Sequence, residues 1–532
     1  MRSNLSCKNN SNTSRFYKAF LTVFFLTFLL CAFSVGGCSG TKSVPTDFET
    51  IELQPTIFPD YRDVTIPVNI APMNFDICNR TAETALTVVS IADNKGEVLK
   101  ENLAVFSGKK VRFSPKFWKK TLQDNVGNSL LFSVFVKSEG KWRKFSNWTM
   151  TISSDVIDPW ISYRKIEPGY EYFTDLALWN RSLESFDERA FFRARLVNER
   201  TCTNCHSYQN YGTNAFFFHL RFHNGGTVFN VNGELAKRDL MADGMLSGCS
   251  YSAWRPNSLH IAFVSCQTFQ VFHTKSDDRI DVLDAFSDLY LYDVVKNTIK
   301  PVFTPSDDTL DTYPTWSADG KTLYYCSAKN PGFKTSREDL EKRKSETIDL
   351  REKLHYDIKK VSYDEKTGTF SEPELVFDAS SNGQSALFPR LSPDGKTLLF
   401  TLTRYGCFPI WYRDANLWTL NLESGEARAL DEVNSSEESD SYHSWSSSGR
   451  WIVFASRRDD GSVTRLFFAH FGESGRFSKP FMLPQKDPRQ TLEEARSYNL
   501  PEFTLEPVKI PSRALLEEAK KTDPEKAILE SL

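Results

Sequence analysis

After residue 35 the sequence has no further apolar run long enough to span a membrane. It has no surplus of positive charge either. Lys and Arg number 65 against 68 Asp and Glu, a formal charge of −3, which leaves no electrostatic footprint for nucleic acid. G-x-S-x-G, H-E-x-x-H and a phosphate-binding glycine loop are all missing, so no hydrolase or transferase constellation marks the chain as an enzyme. Global disorder is excluded by composition, with 40% hydrophobic and 14% aromatic residues. Phe alone occurs 42 times, which favours strands over helical bundles.

What is present begins at the N-terminus. A basic, polar stretch runs to Lys18, and the apolar run AFLTVFFLTFLLCAFSV follows to Val35. Residues 1–37 therefore read as a secretory signal peptide. Val35-Gly36-Gly37-Cys38 resembles a bacterial lipobox, and the resemblance implies lipidation of Cys38 as the first mature residue. The competing reading is an uncleaved anchor, for which the run is slightly short. Loss of Arg2, Lys8, Arg15 and Lys18 moves the formal charge from −3 to −7. The expected location is the cell envelope, lipid-anchored, periplasmic or at the outer membrane, with the membrane itself as one partner.

Of ten cysteines, Cys7 and Cys31 leave with the signal and Cys38 is the acylation site. Cys202 and Cys205 belong to a motif treated below. Cys78, Cys249, Cys266, Cys326 and Cys407 remain, an odd number, so at least one is free. Cys249 and Cys266 flank a strand-like run and could pair, which the spacing alone does not decide.

Residues 38–60 read as a flexible tether with Pro45, Pro55 and Pro59. Residues 61–155 hold short strand-like runs (VTIPVNI, ALTVVSIA, LLFSVFVK, WTMTIS) separated by turn residues such as Asp93-Asn94-Lys95-Gly96. They predict a β-sandwich of immunoglobulin-like type, or else extra strands for the next domain. Residues 156–210 read as a connecting segment.

From residue 211 to 510 the chain repeats. Tyr251-Ser-Ala-Trp254, Tyr313-Pro-Thr-Trp316, Phe388-Pro-Arg-Leu391 and Tyr442-His-Ser-Trp445 each precede a tight turn and a second hydrophobic strand. Asp319-Gly320 and Asp394-Gly395 supply turn geometry. Two further strands follow in each unit. A four-stranded unit cannot bury both faces alone, so copies must stack radially into a β-propeller. A divergent unit fits Phe216–Asp239, and a further sheet could close from residues 160–200 with the tail around Glu502–Val508, for about six blades (five to seven). The insertion Lys334–Leu354 reads as a solvated surface helix, and 511–532 as a helical or disordered tail. The fold class is all-β throughout.

These repeats resemble the TolB-like (WD40-like) propeller family, whose blades carry P-x-W-S-P-D-G-K. Tyr313–Tyr325 and Phe388–Phe400 match best; the Trp254 unit lacks the Asp-Gly turn and the Trp445 unit has Ser-Gly. The chain as a whole resembles lipoproteins of Bacteroides-type bacteria that add C-x-x-C-H to such a propeller.

Cys202-Thr203-Asn204-Cys205-His206 is that motif. Two thiols at this spacing can add to the two vinyl groups of one haem, with the following imidazole as proximal iron ligand. Haem c held by Cys202, Cys205 and His206 is the first reading, with His219, His223, Met241 and Met245 as sixth-ligand candidates. Zinc on Cys202, Cys205, His219 and His223 is a minor alternative. Alternation in Phe216–His223 reads as a strand, where four residues span about 13 Å, too far for both imidazoles to reach one ion. A local disulfide or an unoccupied relic is the third reading. His443, Arg390, Thr315 and Ala253 fall where a propeller channel would be lined, although packing is the commoner role of repeat positions. Arg457 and Arg458 suit an anion or a solvated loop.

The function expected from this reading is electron transfer, or haem-bearing docking, by a lipid-anchored propeller with a protein partner on its face. The alternative is a propeller scaffold binding a protein or glycan at the cell envelope.

Overall fold

The computed structural model describes residues 43–167, 175–274 and 278–531. The signal peptide, Cys38 and the start of the tether lie outside the described residues. Among the described residues no helix is long and apolar enough to cross a membrane.

The N-terminal part is built on a seven-stranded sheet and a three-stranded sheet (Ile57–Phe58, Phe75–Ile77, Lys110–Val111). The larger sheet is mainly antiparallel, but Val64–Pro67 joins Trp148–Ser153 in parallel, as Glu49–Ile51 joins Lys141–Phe145. Between the sheets lies an aromatic core. Phe132 stacks on Trp148 at 3.9 Å, and Phe75 meets both edge-on. A helix, Pro115–Asp124, capped by Ser114 Oγ accepting from the Phe117 N–H, lays Trp118 and Leu122 into that core.

The rest is a β-propeller. Six four-stranded antiparallel cores recur among the described residues, and their innermost strands define the arrangement. Sheet I starts from Thr201–Tyr208, sheet II from Cys249–Trp254 and sheet III from Thr309–Trp316. Sheet IV starts from Ser385–Leu391 and sheet V from Asp440–Trp445. Sheet VI combines Trp160–Ile166, Ala177–Ser182 and Glu188–Arg193 with a late innermost strand, Ser497–Thr504. The six innermost strands touch in cyclic order, I to II and on through VI, which returns to I. Antiparallel pairing of Trp160–Ile166 with Ser497–Thr504 completes sheet VI from distant parts of the chain and closes the ring.

Residues 156–210, expected as a connecting segment from which residues 160–200 could help close a further sheet, supply three strands of sheet VI, as that closure requires, and also the innermost strand of sheet I. Their mixed charged and aromatic character hid the alternation. The tail is ordered as well: helix Ser512–Ala519 is followed by Glu525–Lys526 and Ile528–Leu529, which add in parallel to the outer strands of sheets I and II. The Lys334–Leu354 insertion does carry a helix, Leu340–Leu350, but it is not simply solvated. Arg343 is 1% exposed and donates to the carbonyls of Ala285 (3.0 Å) and Thr335 (2.7 Å).

One local feature recurs in all six innermost strands. Each breaks register once, and at each break one residue has a positive φ: Cys205 (34°), Tyr251 (33°), Tyr313 (50°), Phe388 (54°), Tyr442 (43°) and Leu500 (51°). These are β-bulges, which bend a strand and re-aim a side chain. Here they aim rings at one another across the centre. Tyr251 to Tyr313 is 4.6 Å, Tyr313 to Phe388 is 4.4 Å and Phe388 to Tyr442 is 4.6 Å. The stack plugs the middle of the channel.

Candidate functional site

The C-x-x-C-H motif lies wholly within the innermost strand of sheet I. Read from the bulge, Cys205-His206-Ser207-Tyr208 occupies the same places as Tyr313-Pro314-Thr315-Trp316 and Tyr442-His443-Ser444-Trp445. Cys205 therefore stands where four neighbours place an aromatic ring. Its small side chain leaves space, and a cavity of about 400 Å³ opens there. Tyr251 and Tyr442 of the plug line it together with Phe408, Ile410, Cys202 and Cys205.

Both thiols are free and nearly buried, Cys202 at 8% and Cys205 at 7% exposure. Burial pushes the Cys202 thiol up, while Arg164 and Arg221 pull it back. Arg221 is held by donation to Ser250 Oγ at 2.8 Å, and Arg164 donates to Asn204 Oδ1. Both guanidiniums line the cavity, so an anionic group on a bound molecule would meet them. Sequence reasoning missed this pair. They are separated by 57 positions and meet only through the stacking of sheets VI and I.

His206 is the exception. It is 4% exposed and is not part of the cavity wall; its ring lies against Tyr208 at 5.8 Å. Burial, assisted by Arg164, pushes it down to about 3, so it is neutral. The backbones of Ser162 and Leu500 act weakly the other way, yet neither ring nitrogen has a hydrogen-bond partner of good geometry.

These residues fit a thioether-held haem in three respects. The two thiols line one cavity, two arginines face the same space alongside Glu167, and the next residue is a neutral imidazole with unpartnered nitrogens. They do not fit in a fourth: the expected proximal ligand, His206, points out of the cavity in this strand conformation.

The other candidates are dispersed. His219 is buried on Ala215–Phe222 with Nδ1 2.7 Å from Thr227 Oγ1, and burial pushes it down to about 3. It lines a different cavity, beside Met241. His223 is exposed beyond that strand, Met241 is 44% exposed and Met245 is buried in the core between sheets I and II. Among the described residues no group of three or more His, Cys, Asp or Glu is gathered for a metal ion, and the zinc set Cys202, Cys205, His219 and His223 does not assemble. Cys249 and Cys266 are free thiols and form no disulfide.

Beyond the plug, toward the other end of the axis, lies a second cavity of about 400 Å³. Its inner layer takes one residue from each innermost strand, two after the bulge: Ser207, Ala253, Thr315, Arg390, Ser444 and Glu502. His443, expected from sequence beside these channel positions, is one residue out of register. Its ring is buried, 3.2 Å from the Leu399 carbonyl, and Ser444 takes the channel place. Arg457 and Arg458 serve structure. Arg457 donates to the Ile410 and Ser462 carbonyls with its guanidinium over Trp411, and Arg458 pairs with Asp440 at 2.7 Å.

No family model matches the chain, and no curated protein matches it. Among solved structures it is similar to TolB from Acinetobacter baumannii, at 12% identity over 73% of this chain and 85% of that one, with a TM-score of 0.40. It is also similar to an oligogalacturonate lyase from Vibrio parahaemolyticus, at 13% identity over 80% and 100%, with a TM-score of 0.31. At these values the likeness adds nothing to what the sheet topology shows by itself.

Proposed function

We propose that the chain is a TolB-like, six-bladed propeller lipoprotein, anchored at the cell envelope through Cys38 and carrying one haem held covalently by Cys202 and Cys205. The immunoglobulin-like sandwich of residues 61–155 would follow the lipidated end and precede the propeller along the chain. The observation that carries the reading is the pair of free thiols, three residues apart, on the wall of one axial cavity of mixed character that also presents Arg164 and Arg221.

A bound haem supplies a one-electron couple. The protein's own residues do the rest. Cys202 and Cys205 would hold the group, Arg164 and Arg221 would meet its acidic side chains, and Phe408, Ile410 and the plug tyrosines would limit access of water. His206 is the residue in this motif that could supply an iron ligand. That role requires its ring to turn toward the wall, at a bulge where Cys205 already departs from strand geometry.

The test is expression of the full chain with a cytochrome-maturation system, followed by intact mass and absorption after denaturation. The expected product carries one haem mass that Cys202→Ala and Cys205→Ala each reduce or abolish. His206→Ala should keep the mass and change the absorption of the folded protein. A colourless chain of unmodified mass would end the haem reading.

A further inference from the structure

The cavity beyond the plug is independent of the thiols and of any group they hold. The residue after the inner-layer position on each innermost strand also lines it, and five of these six are aromatic: Tyr208, Trp254, Trp316, Trp445 and Phe503; Asn210, Asn257 and Ser392 add polar groups to the lining. Of the six residues in the layer beneath, four are small or neutral and two are charged, Arg390 and Glu502. They belong to sheets IV and VI, with the strand of Ser444 between them. Arg390 donates to its own strand, to the Pro389 carbonyl at 3.0 Å. Glu502 Oε2 accepts the Tyr208 backbone N–H at 3.1 Å. They influence each other electrostatically, yet neither hydrogen-bonds the other.

A cation and a carboxylate set apart at the base of an aromatic-walled cavity form a matched pair for a ligand with both charges. Each keeps capacity for further hydrogen bonds: Arg390 has more N–H donors, and Glu502 has a second oxygen. A structural ion pair would have closed the gap between them. At about 400 Å³ the space suits a small molecule or the end of a chain.

The geometry points to a binding site for a small zwitterion with an apolar or aromatic body, a free amino acid or the end of a short peptide, its carboxylate on Arg390 and its ammonium on Glu502. The aromatic wall takes the side chain, and cation–π contact adds to the hold on the ammonium. Glu502 is poised for this exchange. Burial pushes Glu502 up to about 8, against the pull of Arg390 and the Tyr208 N–H; the phenols of Tyr208 and Tyr211 also face it. At neutral pH it is mostly protonated, so an arriving ammonium displaces a proton.

The probes are L-phenylalanine and Phe-Gly, with N-acetylphenylalanine and phenylalaninamide as singly blocked controls, titrated calorimetrically into the full chain at pH 7. At least one unblocked probe should bind, and each block should weaken binding about tenfold or more. Which unblocked probe binds better separates a free amino acid from a peptide end. Glu502→Gln should abolish the preference for a free ammonium, and Arg390→Gln the preference for a free carboxylate. The binding enthalpy should also depend on the buffer's ionisation heat in the wild type, a dependence that Glu502→Gln removes. Glu502→Gln keeps the acceptor for the Tyr208 N–H, so it separates loss of charge from loss of fold. Failure of both unblocked probes at millimolar concentration, or equal binding of blocked and unblocked forms, would overturn the assignment.

Discussion

Tyr313 lies at the centre of the plug, between Tyr251 and Phe388, 4% exposed and with φ of 50°. Replacing it by Ala removes a buried ring, a loss of about 3–5 kcal/mol for an aromatic truncation. Two ring pairs add about 0.5–1.5 kcal/mol each. Ala keeps the cost of a side chain in the left-handed region, about 1–2 kcal/mol. Gly escapes that cost but normally trails Ala by about 0.5–1 kcal/mol in a strand. The first figure exceeds the second, so Tyr313→Gly should be more stable than Tyr313→Ala by about 0.5–1 kcal/mol. At Leu323, buried in the neighbouring regular strand, the order should reverse. Tyr313 also has a buried hydroxyl without a hydrogen-bond partner, so Tyr313→Phe should cost nothing and could stabilise. Equilibrium urea unfolding of the five variants gives the ranking. Ala above Gly at position 313, with the same order at 323, would refute the claim that a strained bulge positions the plug.

His443 is held at about 3 by burial and by Arg390, below its ordinary 6.5. The unfolded chain takes up its proton first, so the wild type should lose about 1.4 kcal/mol per pH unit from this residue as pH falls from 6.5 toward 3. His443→Gln should show a shallower acid limb, measured as the urea midpoint against pH; parallel limbs would contradict a buried neutral imidazole. Gly320 and Gly395 occupy equivalent turns at φ of 67° and 72°. A Cβ on Gly320 meets the Arg255 side chain at 3.2 Å, and Arg255 Nε donates to the Gly320 carbonyl at 2.8 Å; a Cβ on Gly395 meets nothing within 4 Å. Both Ala substitutions should cost about 1 kcal/mol for the backbone, and Gly320→Ala about 1 kcal/mol more. Equal melting points for the two variants would contradict that ranking.

The repeats were legible because the packing of stacked sheets demands the same residues in each copy. Trp254, Trp316 and Trp445 recur at one position, and Gly320 and Gly395 at another, where the backbone excludes most side chains. Sheet I was only half visible, because Cys205 and Tyr208 replace the aromatic and the Trp of the pattern. Locally its innermost strand shows only the C-x-x-C-H spacing and none of the repeat pattern. The strand that completes sheet VI comes more than 300 residues after its partner; no local periodicity reports such a pairing, and the expectation that residues 160–200 close with the tail rested on the need to remove sheet edges.

By itself the sequence determined the class of fold, the turn positions and the presence of two thiols and an imidazole at haem-attachment spacing, since each is a property of neighbours along the chain. Only the tertiary structure decided that both thiols line one cavity while the imidazole turns aside, and that Arg390 and Glu502 share another. Those relations run between strands from different sheets. They are fixed by a bulge repeated six times around an axis, and an axis is a property of the closed ring rather than of any one segment.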